Sequence, residues 1–384
     1  MSTSDPLSRI VESGVSPWLD DLSRDRLRSG NLAELIRTRH VLGVTTNPTI
    51  FDKAIAGGES YGEQVAELAA AKANAEEAVR AMTTQDVREA ADLFAAELPH
   101  ARPGDARVSI EVDPRLAHDT AGTIAQAREL WRLVGRENVY IKIPATAEGL
   151  PAISEVIGEG ISVNATLIFS LDTYRAVANA YLAGLETAQV AGLDLSKITS
   201  VASVFLSRID AKVDPHLDAI GTSEAAELRG QAALAGARAS YGEFRTIFSS
   251  PRWQSLADAG ANVQRPLWAS TGTKDPSFPD TLYVDQLLAA DVVNTMPEKT
   301  LLASADHASF ATAEGPVDTI TPAIASSLEV LASLVRLGVP YDDLLAELET
   351  EGVASFIASW ENLLGTVEAS LAAAGPTPEE STTA

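Results

Sequence analysis

Cysteine is missing from all 384 residues, which excludes disulfides, thiolate catalysis and thiolate zinc sites. The absence suits a reducing interior without requiring one. Positive charge is scarce as well: 29 Lys and Arg stand against 53 Asp and Glu, a formal charge of −24. Such a field repels polyanions, so nucleic acid is not expected as a partner. A small anion is different, because screening over roughly 8 Å lets a few local cations hold it. No apolar run nears the roughly 20 residues that cross a bilayer, and no membrane partner is expected. Residues Met1–Asp5 carry neither the basic flank nor the apolar core of a secretory signal, so the chain is expected to be soluble and cytoplasmic. The five histidines, His40, His100, His118, His216 and His307, are scattered, and no metal site is expected from them. No phosphate loop or dinucleotide fingerprint occurs at a strand–helix junction, so no nucleotide cofactor is expected either.

What remains is an ordinary globular composition, 46% hydrophobic and 21% charged. Short β-like runs alternate with long helical segments from end to end. The strand candidates are Ser16–Leu22, Val41–Pro48, Arg107–Asp113, Val139–Ala145, Gly160–Phe169, Ser200–Ile209, Pro266–Gly272 and Asp291–Met296. Segments such as Ala117–Leu133, Leu171–Ala191 and Glu224–Ile247 carry apolar residues at helical spacing. Eight βα alternations predict an α/β fold of the (β/α)8 barrel type; an open sheet with extra strands is the alternative. Residues 49–100 add two or three helices after the second strand, and residues 318–372 add two more after the last, across the outside or over one barrel end. One domain is expected over residues 1–373, followed by a disordered Pro-, Glu-, Ser- and Thr-rich tail over 374–384.

Strand parity locates candidate chemistry. In VYIKIPA, Ile141 and Ile143 share the face toward the helices, so Lys142 points into the barrel with Tyr140 and Pro144. It lies near the carboxyl end of its strand, where barrel enzymes place their catalysts. A lysine there is either half of a structural ion pair or an amine nucleophile for a carbonyl substrate. By the same parity Glu111 faces inward one strand earlier and Asn164 and Thr166 one strand later, while Ile161, Val163, Ala165 and Leu167 face out. Thr45 and Asn47 share a face on the second strand, and of the adjacent Asp20 and Asp21 only one can face in. A purely structural barrel would fill these positions with Val, Ile or Leu. An attacking lysine must be neutral; burial favours that form and nearby carboxylates oppose it. Carboxylates also supply the proton transfers of carbonyl condensation, and neutral Asn, Thr and Ser groups orient hydroxyls. Further along, Arg208 follows the sixth strand, and Ser270 and Lys274 bracket a Ser-Thr-Gly-Thr-Lys run after the seventh. Hydroxyls, backbone N–H groups and cations together suit a phosphate.

These residues sit in stretches that resemble the transaldolase family: GVTTNPTIF (43–51), IEVDPRL (110–116), YIKIPAT (140–146), GISVNATLIFS (160–170), VFLSRID (204–210) and WASTGTKDP (268–276). The flanking WLDDLSR, YVDQLL (283–288) and VNTMPEKTL (293–301) are similar to the long bacterial form. The resemblance implies that Lys142 forms a Schiff base, that Asp20 is the acid/base for C–C cleavage, and that Glu111 with Thr166 activates a water. It implies that Thr45, Asn47, Asn164 and Ser203 orient the substrate, and that Arg208, Ser270 and Lys274 bind its phosphate. The implied reaction moves a dihydroxyacetone unit from sedoheptulose 7-phosphate to glyceraldehyde 3-phosphate, giving erythrose 4-phosphate and fructose 6-phosphate, with no cofactor. A fructose 6-phosphate aldolase and a non-catalytic sugar-phosphate-binding barrel are the competing expectations.

Overall fold

The computed structural model describes residues 6–312 and 315–375. Eight parallel strands close into a barrel in chain order: β1 (Ser16–Leu19), β2 (Gly43–Val44), β3 (Arg107–Glu111), β4 (Val139–Pro144), β5 (Val163–Ile168), β6 (Ser200–Phe205), β7 (Gln264–Ala269) and β8 (Val293–Met296), which pairs back with β1. The fold is therefore the expected (β/α)8 barrel and not an open sheet. Most strands are shorter than the sequence patterns suggest, because their polar ends leave the ladder for loops and helix caps. β2 is the extreme case: Asn47 caps the helix Pro48–Gly57 by accepting from the Ile50 N–H, and proline supplies its first residue.

Between β2 and β3 lie three helices, Pro48–Gly57, Gly62–Ala70 and Ala75–Glu97, the last opened by a reciprocal capping box between Asn74 and Glu77. The segment Glu224–Ile247, continuous by periodicity, is in fact two helices, Ser223–Glu227 and Ala232–Ile247. Gly230 breaks it with φ +68°, and the Phe278 ring packs where a side chain would start. After β8 come Glu298–His307, Ile324–Arg336 and the 34-residue helix Tyr341–Ala374. The disorder expected for 374–384 falls, apart from Ala374 and Gly375, outside the described residues. Among the described residues no single helix is long and apolar enough to cross a membrane.

The barrel interior is layered. At the floor, Arg265 donates to Asp105 (2.8 Å) and to Ser16 (2.7 Å), and Arg102 also binds Asp105, so each buried charge has its partner. Above it Trp18 and Tyr140 stack with ring centroids 6.0 Å apart. Gly43 is the inward residue of β2 beside them, and a Cβ there would lie 2.4 Å from the indole. The upper layer, toward the carboxyl ends, is polar.

One strand breaks the alternation. Ala165 pairs with Ala202 and Ile168 with Val204, so Thr166 and Leu167 both oppose Ser203. This is a β-bulge, with Leu167 at φ +61°. The bulge overturns the expectation that Leu167 faces the surrounding helices in register with Ala165. It packs instead against Gly352 of the C-terminal helix, 3.0 Å from where a Cβ would stand.

That helix buries Tyr341, Leu344, Leu345, Leu348, Gly352, Phe356, Leu363 and Val367, a stripe at three- and four-residue spacing. It lies over the carboxyl end of the barrel rather than across the outside, with Thr49 bonded to Ser359 (2.8 Å) and Thr366 to Asp52 (2.7 Å).

Replacing Gly43 by Ala is expected to destabilise the protein by about 1–3 kcal/mol in chemical denaturation, since the new methyl meets a buried indole. Gly62→Ala, at a helix position open to solvent, is the control and should be neutral or slightly stabilising. Equal behaviour of the two would show that Trp18 does not fill the β2 gap.

Candidate active site

Parallel pairing sets Glu111, Lys142 and Asn164 side by side on β3, β4 and β5. All three are buried. Lys142 Nζ donates to Glu111 Oε2 at 2.9 Å and to the Thr46 carbonyl at 3.2 Å. Its ring neighbour is Phe356, whose centroid lies 5.2 Å from Nζ. Burial pushes the Glu111 carboxyl above the usual carboxylate range, against the opposing pull of Lys142. Among the described residues, Glu111 Oε1 has no partner.

The two aspartates after β1 part ways. Asp20 turns to the barrel and accepts from Thr45 Oγ1 at 2.7 Å, while Asp21 turns outward to Arg26 at 2.7 Å. Loss of solvation raises the Asp20 carboxyl too, with Thr45 and Lys142 pulling the other way. Thr45 also meets Thr295 Oγ1 of β8 at 2.6 Å, which extends the chain of hydroxyls across the mouth. On the other side of Lys142, Asn164 accepts from Ser203 (2.6 Å) and donates to Ser109 (3.1 Å). Thr166 Oγ1, like Glu111 Oε1, is buried without a partner among the described residues. Asn47 is not an inward strand residue as parity suggested, because β2 has already ended. It lines a cavity of about 50 Å³ with Thr46, Glu111, Arg80 and Trp360, room for a few waters.

Arg208 sits in the first turn of the helix Ser207–Ile220, its guanidinium 5.4 Å from the Phe205 ring. Partial burial lowers its pKa, partly offset by Glu351. Ser270 follows β7 with φ +56°, and its Oγ lies 2.9 Å from Ser207 Oγ. Ser207 thus joins the two loops and sets Ser270 at the N-terminus of the helix that carries Arg208. Lys274 is exposed and lines a cavity with Ser207, Asp210, Asp214, Asp218, Arg229 and Asp275.

Sequence reasoning missed Ser109, Thr295, Ser207 and Phe356. Parity carried the signal for Ser109, two residues before Glu111. Phe356 had no local signal, since its helix is remote in the chain. Among the described residues, no three His, Asp or Glu side chains form a metal-binding group.

A closed parallel barrel with a carboxylate-paired lysine among hydroxyls and amides at its carboxyl end is equipped as an enzyme that handles carbonyl substrates through an amine. The model of one family, transaldolase/fructose-6-phosphate aldolase, matches residues 17–367, and the chain belongs to that family. It is 58% identical over 376 residues to "Transaldolase 1" of Streptomyces coelicolor, covering 97% of each chain. It is 56% identical to "Transaldolase" of Arthrobacter sp. (96% of this chain, 98% of the relative) and 55% identical to that of Thermobifida fusca (96% and 99%). The family acts on sugar phosphates.

The raised Asp20 carboxyl has a consequence for stability. A carboxyl whose folded pKa exceeds its unfolded value near 3.8 contributes stability fully below that value and loses it as pH rises through the folded one. The melting temperature of Asp20→Asn relative to wild type should therefore climb from pH 4 to pH 8. A flat or falling difference would show that Thr45 and Lys142 compensate for the burial.

Proposed function

We propose that the protein is a transaldolase that carries a dihydroxyacetone unit on Lys142 as a Schiff base, from sedoheptulose 7-phosphate to glyceraldehyde 3-phosphate. The observation that carries this reading is the Lys142 amine, 2.9 Å from a carboxylate inside the barrel mouth. Glu111, whose proton affinity burial has raised, takes a proton from the ammonium and frees the amine. The amine adds to the ketone carbon, and loss of water from the carbinolamine gives the protonated imine. A water between Glu111 Oε1 and Thr166 Oγ1 would satisfy both unpaired atoms and serve this step and its reversal.

Asp20 accepts the proton of the substrate hydroxyl beyond the scissile bond as that bond breaks. The aldose phosphate leaves, and the enamine stays on Lys142. Its nucleophilic carbon then attacks the acceptor aldehyde, Asp20 returns the proton, and hydrolysis releases the new ketose phosphate. Thr45, Asn47, Asn164 and Ser203 orient the hydroxyls. Arg208, Ser270 and the N-terminus of Ser207–Ile220 hold the phosphate, with Lys274 as an outer cation.

Borohydride added with fructose 6-phosphate should reduce the imine and leave a mass adduct on the peptide holding Lys142, absent in Lys142→Ala. An adduct on another lysine, or none, overturns the assignment. Arg208→Ala should raise KM for phosphorylated donors about tenfold or more, the scale of a charge-assisted hydrogen bond, and affect non-phosphorylated ketoses little. Equal effects would remove Arg208 from the phosphate site. The family's name also covers fructose-6-phosphate aldolase; aldehyde release that needs no acceptor would favour that activity over transfer.

A further inference from the structure

The C-terminal helix sits on the barrel mouth in a fixed pose. Gly352 lets it approach Leu167 at the β5 bulge, and one turn later Phe356 comes over Lys142. A further turn on, Trp360 reaches the cavity that Glu111 and Asn47 line. Lys212 of the helix Ser207–Ile220 binds Glu347 (3.1 Å) and Glu351 (2.6 Å), and Ser359 and Thr366 are bonded to the helix Pro48–Gly57 and its surroundings. Anchored at both flanks, the helix holds Phe356 where it is, 4% exposed.

The groups bonded to the amine are polar, Glu111 and the Thr46 carbonyl, and Asn164 pairs with its strand position. An aliphatic side chain would close the mouth equally well. An aromatic ring adds a negative face, which attracts a cation within about 6 Å of its centroid. The nitrogen of Lys142 is cationic as an ammonium and again as a protonated imine, and neutral as an enamine. A ring at this place therefore favours the imine while its apolar surface keeps water from the imine carbon on that side.

We propose that Phe356 is a positioning and water-excluding residue for the Lys142 Schiff base, and so governs whether the bound three-carbon unit passes to an acceptor aldehyde or to water. The competing step is hydrolysis. The enamine carbon takes up a proton, water adds to the imine carbon, and the C–N bond breaks with the proton returning to the amine. Free dihydroxyacetone departs and Lys142 is regenerated. The inference rests on the assignment of Lys142 to the Schiff base.

The test compares full-length wild type with Phe356→Leu, which keeps apolar bulk but lacks the ring, and Phe356→Ala, which opens the space. Folding of each is checked by circular dichroism and melting temperature. With fructose 6-phosphate as donor, free dihydroxyacetone and transfer to erythrose 4-phosphate are measured together, along with the rate of borohydride trapping. Phe356→Ala should raise the ratio of hydrolysis to transfer about tenfold, and Phe356→Leu should slow trapping several-fold with a smaller change in ratio. Should the wild type be trapped on Lys142 while a folded Phe356→Leu protein keeps both the wild-type ratio and trapping rate, Phe356 only packs and the inference is overturned. Failure to trap the wild type at all overturns the Lys142 assignment itself, and this inference with it.

Discussion

A lysine and a glutamate, 2.9 Å apart inside a β-barrel, are the constraint around which the upper half of this molecule is arranged. Removing either charge from water costs several kcal/mol, and their attraction repays this only with good geometry and further hydrogen bonds. Parallel pairing supplies the geometry by placing Glu111 and Lys142 at the same level of adjacent strands. The Thr46 carbonyl supplies a second acceptor for the ammonium. The balance stays uneven, however: burial still drives the Glu111 and Asp20 carboxyls toward their protonated forms. Carboxyls with raised proton affinity beside an amine are suited to taking up and returning protons.

The floor of the same barrel shows the contrast. Arg265, Asp105, Ser16 and Arg102 form a buried network in which both carboxylate oxygens of Asp105 are bonded. The charges there are closed off by their partners and anchor the strands, although the Tyr140 hydroxyl and Trp18 Nε1 in the layer above have no partner among the described residues. At the mouth, Glu111 Oε1 and Thr166 Oγ1 are left unpaired. Buried polar groups without partners are costly, and such costs gather at functional sites. The Leu167 backbone adds to them with a left-handed conformation unfavourable for a branched side chain.

Overall charge and local charge play separate parts. The chain is strongly acidic, yet Arg208 stands half-buried against Phe205, with Glu351 partly offsetting the effect of that burial. Because salt screens charges beyond roughly 8 Å, an anion in the proposed phosphate site would meet the local cation and the helix N-terminus before the net charge.

Read along the chain, the residue pattern determined the eight-strand alternation, the inward parity of Glu111, Lys142, Asn164 and Thr166, and the helical insert after β2. All follow from short-range periodicity, which depends on neighbours two to four positions away. The pattern placed Leu167 on the wrong face, because a bulge alters direction without altering composition; it gave Asn47 the parity of Thr45, although Asn47-Pro48 also marked the strand's end, where the helix cap forms. Which of Asp20 and Asp21 enters the barrel was settled by tertiary partners, Thr45 just after β2 for Asp20 and, for Asp21, Arg26, itself held by the remote Glu298. The placing of Phe356 over Lys142 also belongs to the tertiary structure. More than 200 residues separate them in the chain, and only packing of the C-terminal helix onto the β5 bulge and the helix Pro48–Gly57 brings them together.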